Sequence, residues 1–178
     1  MNLAGWILKK TGWRFEVNIP PTPKCVICVA PHTSNWDFIV GEVGIRSVGM
    51  SSGFLMKDTW FFFPLGYILK SLGGIPVKRS AHTGVSEHVV EAFNNHEHLW
   101  VAVTPEGTRS PNSNWHKGFL HIAREAGVPI ALAYIDYEQK VACVDRIFNM
   151  SDDVDADMVA IKSYYSKRKG KHPEKFVL

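Results

Sequence analysis

Residues 29–37 read Val-Ala-Pro-His-Thr-Ser-Asn-Trp-Asp and lead from an apolar run into a polar stretch that contains a histidine and an aspartate. The run before them, residues 25–30, is short, apolar and rich in β-branched side chains, which predicts a buried strand. Pro31 forbids a simple continuation of that strand. Ser34 is a good N-cap for a helix that begins just after it. The stretch therefore predicts a strand, a loop that contains His32, and a helix.

His32 and Asp37 are the best catalytic candidates in the chain. Five positions within one ideal helix would turn the two side chains well away from each other, so they can meet only if His32 precedes the first helical turn. A carboxylate beside an imidazole fixes the ring and stabilises its charged form, which lets the ring take a proton from a hydroxyl. The alternative is structural, with His32 bonded to a helix end and Asp37 facing the helix dipole.

The composition predicts one domain with a sizeable core, because 46% of the 178 residues are hydrophobic. The net charge of +3 is modest and the basic residues are spread along the chain, so we expect no nucleic-acid partner, whereas anionic ligands remain reasonable. The apolar stretch Trp60 to Leu69 is about half the length of a membrane span. Lys9 and Lys10 follow the few apolar residues at the N-terminus, the wrong order for a signal peptide. We expect a cytoplasmic protein.

Neither the cysteines nor the histidines predict a metal site. Cys25 and Cys28 would point to opposite faces of their strand, and there is no second cysteine pair to complete four ligands. Buried structural thiols are the better interpretation. His96 and His98 lie at a helix-to-strand junction, which favours a solvated surface. We therefore expect no metal and no bound cofactor.

The N-terminal segment, residues 1–23, is predicted to be an amphipathic helix followed by a connector. Residues 2–10 place Leu3 and Trp6 beside a basic side, so this helix could lie on a membrane surface or equally cap the core. The stretch from Thr11 to Lys24 contains three prolines and is interpreted as the connector.

Gly49 to Gly53 reads Gly-Met-Ser-Ser-Gly and matches the nucleophile elbow of serine hydrolases, with Ser51 as the nucleophile. An elbow needs a strand before it and a helix directly after it. Here a helical stretch precedes and Phe54 to Lys57 is interpreted as a strand, so a loop between helix and strand is favoured.

Cations and aromatic rings follow that strand. So many rings in residues 58–72 cannot all fit a small core, and several should face an apolar ligand or lipid. A short strand then ends at Lys78 and Arg79, which are either solvated or placed where open α/β sheets bind ligands.

The second informative stretch, residues 104–110, reads Thr-Pro-Glu-Gly-Thr-Arg-Ser and follows the buried strand Leu99 to Val103. Glu106 can accept a hydrogen bond from a hydroxyl, and Gly107 lets backbone approach a ligand closely. Arg109 offers a planar fork that fits a phosphate. The alternative interpretation is a charged surface turn.

The remaining pattern predicts an α/β fold with a mixed, mostly parallel sheet flanked by helices. Helices are predicted over residues 84–95 and 115–127 and after a cap at Ser151, and strands over 129–135 and 140–148. All three candidate stretches follow strand ends, so we expect His32, Arg79 and Arg109 to converge at one rim of the sheet.

These stretches together resemble the glycerolphosphate and lysophospholipid acyltransferase superfamily. The family's first block has a His, four residues and an Asp, as in residues 31–37, although Pro31 replaces the usual Asn. The later blocks are matched by Lys57 with residues 63–66, by residues 73–79, by residues 105–110 in full, and by residues 128–130. These blocks, in this order along the chain, make the resemblance far more specific than any one of them.

The resemblance implies acyl transfer from a thioester, either acyl-coenzyme A or acyl carrier protein, to a hydroxyl of a lysophospholipid-like acceptor. In this interpretation His32 is the general base and Asp37 orients it. The implied substrate-binding residues are Glu106, Gly107, Thr108, Arg109, Arg79, Lys78 and Ser34. Attachment to the inner face of the cell membrane is expected. The alternatives are a catalytically silent lipid- or phosphate-binding module and a serine hydrolase that uses Ser51.

Overall fold

A computed structural model of the chain describes residues 2–50, 52–77 and 85–178. The strands are β1 Arg14–Val17, β2 Lys24–Val29, β3 Ser52–Lys57, β4 Gly74–Val77, β5 Leu99–Val103, β6 Ile130–Asp136 and β7 Val141–Phe148. The helices are α1 Leu3–Thr11, α2 Asn35–Ser47, α3 Leu65–Ser71, α4 Val85–Asn95, α5 Gly118–Glu125 and α6 Val154–Tyr165. Short 3₁₀ helices span Asp58–Trp60 and Pro173–Lys175.

The strands form one seven-stranded sheet in the order β1-β7-β6-β2-β5-β3-β4. The central strand β2 is parallel to both of its neighbours, β5 and β6, and β3 is parallel to β5 and β4. The edge pair β1 and β7 runs the other way, since β6 and β7 are antiparallel. The prediction of a mixed, mostly parallel sheet flanked by helices is therefore confirmed. Parallel strands place their carboxyl ends at one edge, so the loops after β2, β5 and β6 meet there.

Side chains alternate across β2 and build the core on both faces of the sheet. Val26 and Cys28 belong to the larger cluster, which includes Phe119 of α5 and Ile161 of α6. Cys25 belongs to the cluster on the other face. Both cysteines are buried free thiols on opposite sides of the sheet, as predicted, and burial raises the pKa of Cys25 to about 12.

Two predicted elements differ from the structure. The connector over residues 11–24 contains β1, which becomes a strand because it pairs in register with the distant β7. The last helix is capped by Asp153 rather than Ser151, since Oδ1 of Asp153 accepts hydrogen bonds from two backbone N–H groups of the first turn. Ser151 instead donates from its hydroxyl to Asp157.

The N-terminal helix packs against the domain and also leaves apolar side chains in solvent. α1 lies on α2, and Nδ2 of Asn2 donates to the carbonyl of Arg46 at 2.7 Å. Leu3 is 72% exposed and Trp6 48% exposed. Among residues 2–50, 52–77 and 85–178, every helix is too short or too polar to cross a bilayer.

Candidate active site

The loop after β2 is shaped by the start of α2. Oγ of Ser34 accepts from the backbone N–H of Trp36 at 3.2 Å, and the Asp37 carboxylate accepts in return from the N–H of Ser34 at 2.8 Å. This reciprocal arrangement is a capping box, which satisfies donors that a helix start would otherwise leave free. The hydroxyl of Ser34 is therefore engaged by its own helix. His32 lies in the loop before the first turn, the position that lets it meet Asp37.

The imidazole of His32 and the carboxylate of Asp37 are paired. Nδ1 of His32 lies 3.2 Å from Oδ2 of Asp37, with the two side chains 17% and 2% exposed. The distance is that of an ion pair, although the ring N–H is not yet aligned on the oxygen as a hydrogen bond requires. Such contacts commonly tighten when substrate binds. Nδ1 itself is buried, so the exposed surface of the His32 side chain comes from its other atoms.

Donors surround the Asp37 carboxylate. Its Oδ2 accepts from the backbone N–H groups of Thr33 and Ser34, each at 2.8 Å. Its Oδ1 accepts from the hydroxyl of Tyr137 at 2.5 Å. Burial alone would raise the pKa of Asp37, but the contacts with His32, Tyr137 and Ser34 lower it below its usual value. Asp37 is thus held as a carboxylate beside the ring.

Glu106 joins the second informative stretch to the first. Its Oε1 accepts from the backbone N–H of His32 at 2.9 Å, which is possible because β5 lies beside β2 with Val103 paired to Cys28. The residue is 4% exposed, and within the described part of the chain its Oε2 is buried without a hydrogen-bond partner. Burial raises the pKa of Glu106 from 4.5 to about 7, against the opposing effect of the His32 N–H.

This buried carboxyl predicts a dependence of stability on pH. The folded protein binds the Glu106 proton more tightly than the unfolded chain, so the free energy of unfolding falls as the pH rises from 4.5 to about 7. The loss is roughly 3 kcal/mol. Glu106→Gln removes this titration, and we expect a flatter profile of unfolding free energy between pH 5 and pH 8 by urea denaturation.

Glu97→Gln is the matched control, because Glu97 is an exposed glutamate. We expect this variant to keep the pH dependence of the parent. Equal slopes for the two variants would mean that Glu106 is not the group responsible.

The other residues of that stretch lie nearer the surface. Gly107 has φ +65°, and a Cβ there would meet the ring of His116 at 2.5 Å, so both the backbone conformation and the available space favour glycine. Oγ1 of Thr108 accepts from the N–H of Ser110 at 3.2 Å. Arg109 is exposed, and no acidic side chain in the described ranges pairs with it. The structure thus brings His32, Asp37 and Glu106 together.

Three predicted residues lie outside the described ranges, namely Lys78 and Arg79 of the phosphate site and Ser51 of the alternative elbow. The expected convergence of Arg79 with the rim stays a prediction. In the ranges that are described, no three His, Cys, Asp or Glu side chains are grouped as metal ligands would be.

Two parts of the site were missed from the sequence. Tyr137 follows β6 and reaches Asp37 from a hundred residues away. The C-terminal segment closes over the loop, since Oγ1 of Thr33 accepts from the N–H of His172 at 3.1 Å and a Cβ on Gly170 would meet that Oγ1 at 2.6 Å. Tyr137 lies two residues after a predicted strand, close to a strand end like the other candidate stretches, and this position was the available signal.

Several apolar side chains of the aromatic stretch are exposed, so its rings do not all lie in the core, as predicted; their contact with an apolar ligand or lipid stays a prediction. The exposed fractions are 54% for Trp60, 57% for Phe62, 81% for Phe63 and 73% for Tyr67. Trp13, by contrast, is partly buried and packs edge-on against Tyr137 with the ring centroids 5.2 Å apart.

Comparisons with known proteins agree with this architecture. The family model described as Acyltransferase matches residues 14–135. Among solved structures, the chain is similar to the crystal structure of the 1-acyl-sn-glycerophosphate (LPA) acyltransferase, PlsC, from Thermotoga maritima. The two are 20% identical, the similarity covers 94% of this chain and 80% of the other, and the TM-score is 0.59. At this identity the similarity shows a shared fold. No curated protein matches the chain.

Proposed function

Because the chain belongs to the acyltransferase family, we propose that it moves a fatty acyl group from acyl-coenzyme A or acyl carrier protein to a hydroxyl of a lysophospholipid-like acceptor. The observation that carries the proposal is the pairing of His32 with Asp37 at 3.2 Å, in a loop that Glu106 also anchors. The similar solved structure is described as an acyltransferase of a phosphate-bearing lysolipid, which supports an acceptor of that class.

In the proposed reaction, His32 takes the proton of the acceptor hydroxyl as the new oxygen–carbon bond forms at the thioester carbonyl. The carbon–sulfur bond breaks, the thiolate leaves with its electron pair, and His32 returns the proton to it, which gives the free thiol and restores the neutral base. Asp37 stabilises the positive charge that His32 carries in between. No acyl group is attached to the protein, so neither a nucleophilic serine nor a cysteine is needed.

The proposed binding site for the acceptor lies on the Glu106 stretch. Glu106, which is buried and bonded to the backbone N–H of His32, would position the acceptor hydroxyl, with Gly107 and Thr108 in the same turn. Arg109 is exposed and can turn its guanidinium toward a phosphate, a contact that contributes roughly 1.5–3 kcal/mol when formed. Lys78 and Arg79 are proposed to complete the phosphate site.

We further propose that the protein works on the cytoplasmic surface of the membrane. Its exposed rings and the apolar side of α1 would enter the interfacial region of the bilayer, where a lysolipid acceptor resides. Tyr67→Glu should weaken binding to lipid vesicles by about tenfold or more, since burial of an aromatic ring contributes roughly 1.5–3 kcal/mol. Co-sedimentation with vesicles of phosphatidylethanolamine and phosphatidylglycerol measures this.

Val159→Glu is the matched control, because Val159 is a helical residue with 70% exposure, against 73% for Tyr67. We expect this variant to sediment with vesicles like the parent. If Tyr67→Glu also binds like the parent, the aromatic stretch is not the docking surface.

The activity is tested by the release of free thiol from acyl-coenzyme A and from acyl carrier protein, each offered with a panel of lysophospholipid acceptors. We expect release only when an acceptor is present, with one equivalent of acylated product for each thiol. A silent binding module would bind the thioester without releasing thiol. A serine hydrolase would release thiol without acceptor and would be labelled by a fluorophosphonate at Ser51.

A further inference from the structure

Tyr137 donates its hydroxyl proton to Oδ1 of Asp37 at 2.5 Å. Among the described residues, this hydroxyl is the hydrogen-bond donor of Oδ1, whereas Oδ2 receives the N–H groups of Thr33 and Ser34 and faces His32. Tyr137 lies two positions beyond the part of the chain that the family model matches, residues 14–135.

The surroundings of Tyr137 keep its hydroxyl in place and protonated. The ring stands edge-on to Trp13 at an interplanar angle of 89°, and Nζ of Lys171 lies 5.7 Å from its centroid. Burial and the adjacent Asp37 carboxylate raise the pKa of the Tyr137 phenol far above its usual value. The hydroxyl thus remains a donor at every pH at which the protein would work.

We propose that Tyr137 is a positioning residue for the reaction proposed above, whose hydroxyl holds the Asp37 carboxylate charged and in the one orientation that presents Oδ2 to the imidazole of His32. This inference rests on the proposed function for its catalytic consequence. Its structural part rests on the contact with Asp37 alone.

The physical argument concerns the two oxygens of a buried carboxylate. The Asp37 side chain is only 2% exposed, so an oxygen that loses its donor has little access to water as a replacement. A buried acceptor without a partner costs about 1–3 kcal/mol, more when it is charged. With Tyr137 in place, three donors on the two oxygens oppose both protonation of the group and rotation of its plane. Without the Tyr137 hydroxyl, Oδ1 has no donor, which favours protonation of the carboxylate or rotation of its plane. Either change weakens the interaction of Asp37 with the His32 ring.

Other titratable and charged groups also face this cluster, so the test must distinguish their titrations from that of Asp37. Glu106 approaches from the loop after β5, and burial raises its pKa to about 7. Lys171 approaches from the C-terminal segment over the rings of Tyr137 and Trp36. A pH profile of activity alone would mix these titrations, so the titration of the Asp37 carboxyl itself is the decisive measurement.

Tyr137→Phe removes the hydroxyl and keeps the ring that packs against Trp13. We expect kcat to fall about ten- to hundredfold, the effect of one hydrogen bond to a charged group, with the KM of both substrates unchanged within about twofold. Carbon-13 NMR of the Asp37 carboxyl, assigned with Asp37→Asn, should show its titration moved to higher pH. The Tyr137 contact is one of the causes that lower this pKa.

Tyr164→Phe is the matched control, because the Tyr164 hydroxyl donates to the Asp145 carboxylate at 2.8 Å, the same kind of pair elsewhere in the fold. We expect it to leave kcat and the Asp37 titration as in the parent. An unchanged kcat and an unchanged Asp37 titration in Tyr137→Phe would overturn the inference, even where His32→Ala upholds the proposed function. If the parent released no thiol, the proposed function and the catalytic role of Tyr137 would both be overturned. The titration of the Asp37 carboxyl would still test whether the Tyr137 hydroxyl stabilises its charged form.

Discussion

We expect His32→Ala to lower kcat for thiol release by about 10²–10⁴-fold, the usual contribution of a general base. The acceptor hydroxyl would then have to lose its proton to water during the attack. The KM values should change little, because the proposed phosphate contacts lie elsewhere. The measurement is steady-state release of free thiol with saturating acyl donor and a range of acceptor concentrations.

The structure makes this variant a clean test of the imidazole. His32 contacts Glu106 through its backbone N–H, which alanine keeps, so the anchoring of the loop by Glu106 survives the substitution. His96→Ala, at an exposed histidine, serves as control and should behave as the parent. Turnover by His32→Ala within a few-fold of the parent would contradict general-base catalysis by this residue.

We expect Asp37→Asn to be the second severe variant, with activity lowered up to about 10⁴-fold, the loss seen when the carboxylate of a catalytic His–Asp pair becomes an amide. The partners of Asp37 are the N–H groups of Thr33 and Ser34, the Tyr137 hydroxyl and the His32 ring. The amide of asparagine has one oxygen, so it can accept either from the N–H groups of Thr33 and Ser34 or from the Tyr137 hydroxyl, but not from both sides at once. Its NH₂ group then opposes a donor on the other side, and the negative charge that would support protonated His32 is absent.

The same variant should lower the free energy of unfolding by about 1–3 kcal/mol, because a buried donor loses its acceptor. Asp157→Asn separates the two effects. Asp157 is also a buried first-turn aspartate, and it accepts from the N–H and hydroxyl of Ser151 at the start of α6. We expect Asp157→Asn to be destabilised in urea denaturation yet to keep its kcat. If Asp37→Asn retained full turnover, Asp37 would have only the capping role.

Much of the fold could be predicted because its signals are local. Pro31 and Ser34 mark the end of one strand and the start of the next helix, and the predicted N-cap at Ser34 is observed. The burial of Cys25 and Cys28 on opposite faces follows from strand alternation alone. β1 was missed because its strand character depends on β7, which lies far along the chain. The cap of α6 was misassigned because Ser151 and Asp153 are both good caps, and it is Oδ1 of Asp153 that accepts from the N–H groups of the first turn.

The candidate site also combines features set by nearby residues with features set by distant ones. The sequence alone determined that an imidazole lies just before a helix whose first turn carries a carboxylate, and that a glutamate follows another strand end, because these facts depend on spacing over a few residues. Only the tertiary structure decided that Glu106 binds the backbone of His32, that Tyr137 binds Asp37, and that Trp13 faces inward. Those contacts join residues far apart in the chain, and they depend on which strands are neighbours and in what register, which no short stretch of sequence encodes.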